Sequence, residues 1–242
     1  EQGTLFVTES SLFTDLQLRL ISYKSRDGQM YSKKSGDLPP SQSILIHVHG
    51  GGFVAQTSKA HLNYLRHYSK SLNVPILSID YSLAPEAIYP TQIEQLIFVY
   101  GWVLSNLSSL GAVESPRIVL TGDSAGAILI LGLTIWAIEH NVRIPDGVVA
   151  LYPPVLAAPT TSPSRYLSVM DPLLNTGVLR SCLGCYSGGQ YKVDPLLSPL
   201  FASDQTLRQF PLTHVLVGEM DVLLDDSIAF CKRLKRVGNP GK

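Results

Sequence analysis

The feature that most constrains this chain is the passage from Ile118 to His140. A short β-branched run, Ile118 to Thr121, turns through Gly122-Asp123-Ser124-Ala125-Gly126 straight into a stretch that is apolar on nearly every side as far as His140. A helix without a polar face cannot lie on a surface, so Ala125 to His140 is predicted to be a central helix enclosed by the rest of the fold. The longest apolar run, Ile128 to Ile138, is broken by Gly132 and Thr134. It falls short of the ~18–20 residues a spanning helix needs, so no transmembrane segment is expected.

Around that passage, short strand-like runs alternate with helical patterns, which argues for a mostly parallel sheet with helices on both faces. The predicted strands are Ser43 to Val48, Pro75 to Asp80, Ile118 to Thr121, Gly147 to Tyr152 and Thr213 to Val217. Gln92 to Leu107 and Asp225 to Val237 carry apolar residues at helical spacing and are predicted to cover the sheet. Residues 1–40 read as a lead-in and 41–242 as one α/β domain. Within it, residues 153–211 hold eight of the chain's 16 prolines and are expected to form an irregular excursion, a lid or pocket wall.

Gly-x-Ser-x-Gly between a strand and a helix is the context in which a serine stands out on a sharp turn. Small residues two positions to either side let the neighbouring backbone pass, and Gly122 and Gly126 supply that room. A second run, His49-Gly50-Gly51-Gly52-Phe53, follows directly on the strand Ser43 to Val48. Attack of a serine on an acyl carbon builds an oxyanion, and only glycine brings backbone N–H groups close enough to hold it. Gly51, Gly52 and Ala125 are therefore the candidate oxyanion donors and Ser124 the candidate nucleophile. His49, beside the glycines, is expected to brace the loop rather than to act as a base.

His49-Gly50-Gly51-Gly52, Asp80-Tyr81-Ser82-Leu83-Ala84-Pro85-Glu86 and Gly122-Asp123-Ser124-Ala125-Gly126, in that order, resemble the signature of the hormone-sensitive lipase family. The resemblance implies an α/β-hydrolase fold, no cofactor, and a serine esterase or lipase acting on acylglycerols, cholesteryl esters or small acyl esters. A lipid-droplet surface is a further candidate partner. Two carboxylates compete for the acid of the triad, Glu219 and Asp221, both after the strand Thr213 to Val217. Asp221 matches the family's acid by position.

The family's order is serine, acid, histidine. No histidine follows Asp221, since His214 is the last in the chain. The sequence also stops at Gly238-Asn239-Pro240-Gly241-Lys242, a turn where a further strand is expected. The C-terminal end of the domain, with its last strand and catalytic histidine, is thus expected to be absent, and the chain to be nearly inactive. A non-catalytic ligand-binding protein on the same fold is the alternative, with an amidase or peptidase third.

Other classes are disfavoured. Lys plus Arg and Asp plus Glu both number 19, which leaves no basic footprint for nucleic acid. Three cysteines make no disulfide framework and point to the cytoplasm. Cys182 and Cys185 are expected to be two thiols in an irregular segment, and no metal site is expected because His47, His61, His67 and His140 lack acidic or thiol neighbours at ligand spacing. Glu1 to Ser10 show no basic stretch followed by an apolar core, so no signal peptide is expected, and a start at Glu1 reads as a piece of a longer product. Asp80 and Glu86 are expected to hold loop amides, and Asp123 to face away from Ser124.

Overall fold

A computed structural model describes residues 3–7, 16–30 and 36–239. Seven strands form one sheet: β1 (Gly3–Val7), β2 (Leu16–Ile21), β3 (Ser41–Val48), β4 (Ile76–Asp80), β5 (Ala112–Asp123), β6 (Gly147–Leu151) and β7 (Leu212–Leu216), in the order β1-β2-β4-β3-β5-β6-β7. From β4 to β7 every neighbouring pair is parallel, whereas β2 runs antiparallel to both β1 and β4. All five predicted strands are present. The third is longer than its apolar run, because Ser41 and Ala112 pair beyond an irregularity in the β3–β5 ladder.

Residues 1–40, read as a lead-in, hold the two antiparallel strands at the sheet's edge. Leu16, Leu18 and Leu20 alternate with Gln17 and Arg19, and the leucines are buried, which is the period-two pattern of a half-covered strand. Pro240, Gly241 and Lys242, the end of the predicted terminal turn, lie outside the described residues.

Among the described residues, four helices outside residues 153–211 cover the sheet: α1 (Leu62–Leu72), α2 (Thr91–Ser105), α3 (Ala125–Glu139) and, last in the chain, a helix at Leu224–Arg236. Helix α1 was not foreseen. It buries Leu62 and Leu65 on β2 and β4 and ends where Asn73 takes a left-handed conformation. Helix α3 is buried on every side except at Trp136 and Glu139, as its composition requires. It packs against β3, β5 and β6, with α2 beside it.

Residues 153–211 are less irregular than their prolines suggest. They contain α4 (Pro163–Leu167), α5 (Thr176–Ser187) and α6 (Asp204–Arg208), which makes Leu224–Arg236 helix α7. Side chains cap all three inner helices: Ser162 accepts from the Arg165 amide, Asn175 from those of Gly177 and Val178, and Ser203 from that of Thr206. Cys182 and Cys185 accordingly lie on helix α5, not in an irregular segment.

The strand order determines where a ligand sits. From β3 the chain passes to β4 on one side, then crosses to β5 on the other. That reversal leaves a crevice at the carboxyl ends of β3 and β5, where open α/β sheets bind ligands. His49 to Phe53 and Ser124 both leave the sheet there.

Candidate active site

Ser124 stands between the end of β5 and the start of α3 with φ 49° and ψ −116°. A non-glycine residue held there costs about 1–3 kcal/mol and persists only where its surroundings dictate it. They do so by close approach. Its amide donates to the Leu151 carbonyl on β6 at 2.9 Å. A Cβ on Gly126 would lie 2.0 Å from the Val48 carbonyl oxygen, and one on Gly122 would lie 2.7 Å from the Gly126 backbone. The two glycines thus let α3 start directly against β3. The Ser124 hydroxyl, half-buried, has no hydrogen-bond partner among the described residues.

The glycine loop faces it. Gly51 and Gly52 have φ of 116° and 64°, in the region that favours glycine. Gly51 turns the loop by accepting from the Val54 and Ala55 amides at 3.2 and 3.0 Å. The amides of Gly51 and Gly52 themselves have no acceptor among the described residues. The Ala125 amide belongs to the first turn of α3, where no intrahelical acceptor exists. His49 donates from Nδ1 to the Gly50 carbonyl at 2.7 Å and stacks on Tyr81 with centroids 4.3 Å apart. Burial lowers its pKa, so it is a neutral brace.

All five residues singled out in the sequence line one cavity of about 1190 Å³: Gly51, Gly52, Ser124, Ala125 and Asp221. Glu219 lines it too, so the cavity alone does not separate the two carboxylates. Their surroundings differ. Asp221 is partly buried and accepts from the Leu223 amide at 2.9 Å, whereas Glu219 is exposed. Burial raises the Asp221 pKa, and the nearby Asp171 charge adds to that. The other wall is apolar and comes from residues 153–211: Pro154, Leu173, Leu174, Val178, Leu179 and Leu183. Cys182 lies in the same wall, its Sγ 2.7 Å from where a Cβ on Gly52 would be.

His214 does not reach this cavity. It is exposed, and it sits in the middle of β7 opposite Val149. The histidine that does line the cavity is His61. Sequence spacing hid it, because its partner Asp123 is 62 residues away along the chain. The Asp123 carboxylate meets His61 and His47 instead of solvent. Asp80 holds a loop as expected, accepting from both the amide and, at 2.7 Å, the hydroxyl of Ser58. Among the described residues no cluster is placed to hold a metal ion, and no helix is long and apolar enough to cross a membrane.

Known proteins agree with this architecture. Residues 45–242 match the family model described as alpha/beta hydrolase fold. The chain is 45% identical over 186 residues to hormone-sensitive lipase of Mus musculus, covering 70% of this chain and 24% of that protein. Against hormone-sensitive lipase of Homo sapiens it is 43% identical over 190 residues, 72% of this chain and 18% of that one. The chain therefore spans about a quarter or less of these relatives. An esterase structure from Rhizomucor miehei superposes with a TM-score of 0.86 at 26% identity, over 100% of this chain and 72% of that one. The chain belongs to the alpha/beta hydrolase fold family and is hormone-sensitive-lipase-like within it.

Proposed function

We propose that this chain carries the nucleophile, the oxyanion donors and the acid of a serine carboxylic-ester hydrolase. The observation that carries the reading is the strained Ser124 turn, which lines the same cavity as Gly51 and Gly52, whose amides have no acceptor among the described residues. Ser124 Oγ attacks the ester carbonyl while a histidine takes its proton. The Gly51, Gly52 and Ala125 amides receive the charge that develops on the carbonyl oxygen, each well-aimed donor being worth about 3 kcal/mol of barrier. Asp221 orients the histidine, and the apolar wall from residues 153–211 takes the acyl chain. That wall is the lid or pocket side of the domain. An apolar wall supports a lipid or small acyl ester as substrate, and a lipid-droplet surface is where a lipid ester would be met.

The histidine is the open part of this scheme. None follows Asp221 in the sequence, and His49 is buried beneath the glycine loop. Losing a triad member typically costs ~10⁴–10⁶ in rate, so the 242-residue chain should turn over esters very poorly. The second reading is a ligand-binding protein on this fold, since a fold by itself does not give a function. The test compares the chain with one extended by its native continuation, each with and without Ser124→Ala, on a short-chain nitrophenyl ester and a fluorophosphonate probe. Labelling and turnover that appear on extension and vanish with Ser124→Ala support the esterase. An extended chain that neither labels nor turns over would favour the binding protein, and substantial turnover without Ser124 would remove it as nucleophile.

A further inference from the structure

Asp123 immediately precedes Ser124, and its carboxylate is built into the floor of the cavity. Its Oδ2 lies 2.3 Å from where a Cβ on Gly50 would be, so the carboxylate rests directly on the first glycine of the loop. His61 Nε2 approaches both of its oxygens at 3.4 Å, and His47 Nε2 lies 3.8 Å from Oδ1. His61 ends a 3-10 turn, Ser58–His61, whose start is held by Asp80 at the end of β4. One short turn thus bridges the carboxyl ends of β4 and β5, passing over the glycine loop that leaves β3 between them.

The partners of the three histidines differ. His47 meets the Ser78 and Tyr64 hydroxyls at 2.8 Å each, and a hydroxyl can accept or donate. His61 meets only acceptors, the Thr57 carbonyl at Nδ1 (3.2 Å) and the Asp123 carboxylate at Nε2. When both contacts are hydrogen bonds, both ring nitrogens carry hydrogen, and in that state His61 has no lone pair to take a proton from Ser124.

We propose that the Asp123–His61 pair positions the Ser124 turn against the glycine loop, with His61 donating from both ring nitrogens. The proposal rests on the reading of Ser124 as nucleophile. Every group facing His61 fits the assignment: Asp123 on β5, Asp80 on β4, neutral His47 and His49 with ring centroids 5.4 and 5.9 Å away, and Tyr64 on α1 at 5.6 Å. The hydrogen bond to Asp123 raises the His61 pKa, while burial lowers those of His47 and His49.

Two measurements on the whole 242-residue chain test this. In an NMR titration of the imidazole rings, His61 should titrate above the ordinary ~6.5 and fall back toward it in Asp123→Asn. The second uses an alkylboronic acid, whose boron bonds to Ser124 Oγ as the serine proton is released to solvent, giving an anionic tetrahedral boronate with one hydroxyl in the oxyanion position. Because misplacement of about 1 Å can cost 10²-fold, His61→Ala should weaken its binding about ten- to hundredfold. His61→Gln, which keeps a donor toward Asp123, should recover most of the loss even if both variants lower the unfolding midpoint equally. A His61 that titrates at or below ~6.5 overturns the proposal. So does boronic acid binding that is unchanged in His61→Ala but lost in Ser124→Ala. Binding unchanged in Ser124→Ala would instead sink the nucleophile itself, and the proposal with it.

Discussion

The cavity has two walls made in different ways. On the side of β3, β5 and α3, backbone meets backbone: Gly126 lies on Val48, Gly50 on the Asp123 carboxylate, and the residues around Ser124 are nearly all buried. On the side of residues 153–211 and β7, side chains meet solvent. Leu173, Val178 and Met220 line the cavity there and are exposed. The first wall leaves no volume for variation and can hold atoms to tenths of an ångström. The second can change its side chains without moving the first. The chemistry would thus be set by one wall and the choice of substrate by the other.

The largest effect should come from the rigid wall. Gly126→Ala places a methyl 2.0 Å from the Val48 oxygen and 2.6 Å from that of His49, both backbone atoms that cannot swing aside. A loss beyond about 4 kcal/mol is expected, enough to abolish cooperative unfolding followed by circular dichroism. An unchanged midpoint would show that the wall yields and would end the contrast.

Next comes the joint that holds the second wall together. Arg165 on α4 donates to Asp226 at 2.6 Å and also to the carbonyls of Leu156, Ala158 and Thr160, while Ser164 bonds Asp225 and the Val222 carbonyl. These bonds fasten the start of the excursion to the chain just after Asp221. Arg165→Leu strands a buried carboxylate and should cost about 3–5 kcal/mol in urea unfolding. Burial already raises the Asp226 pKa despite its partner, so Arg165→Leu combined with Asp226→Leu should restore most of the loss. No recovery in the double variant would assign the cost to the lost carbonyl contacts instead.

A smaller effect, of about 1–3 kcal/mol, is expected for Asp123→Asn. Burial opposes the Asp123 charge, but the hydrogen bonds of His47 and His61 and the charge of His61 outweigh it and hold the carboxyl below its usual range. Its contribution is therefore present above the ordinary carboxylate value, ~3.9, and is lost as pH falls toward its folded value. His61 has the opposite sign. Its raised pKa contributes fully below ~6.5, and that contribution is lost as pH rises through the folded value. A profile of unfolding free energy against pH should show both limbs in the unaltered chain and flatten both in Asp123→Asn.

The smallest stability effect belongs to the solvent-facing wall. Leu173 is 84% exposed yet lines the cavity, so Leu173→Ser should change stability by no more than about 0.5 kcal/mol. It should nevertheless weaken binding of long-chain relative to short-chain acyl ligands in a competition assay. Equal binding of both would place the acyl chain elsewhere.

The local rules of the chain were enough to determine one half of this molecule. An apolar helix after a Gly-x-Ser-x-Gly turn has to be central, and a glycine triplet after a strand has to approach something closely. Both constraints act over a few neighbouring residues, and Ser124, Gly51, Gly52 and Ala125 are found round the cavity they predict. Helix α1, the helices of residues 153–211 and the edge strands β1 and β2 were less legible. Their patterns are short, and their stability comes from what they pack on rather than from propensity. Only the tertiary structure decided what surrounds Ser124. Asp123 meets His61 and His47, and Asp80 meets Ser58, because three parallel strands end side by side and bring distant residues within hydrogen-bond reach. Spacing along the chain records periodicity within an element, but carries no measure of the register between elements.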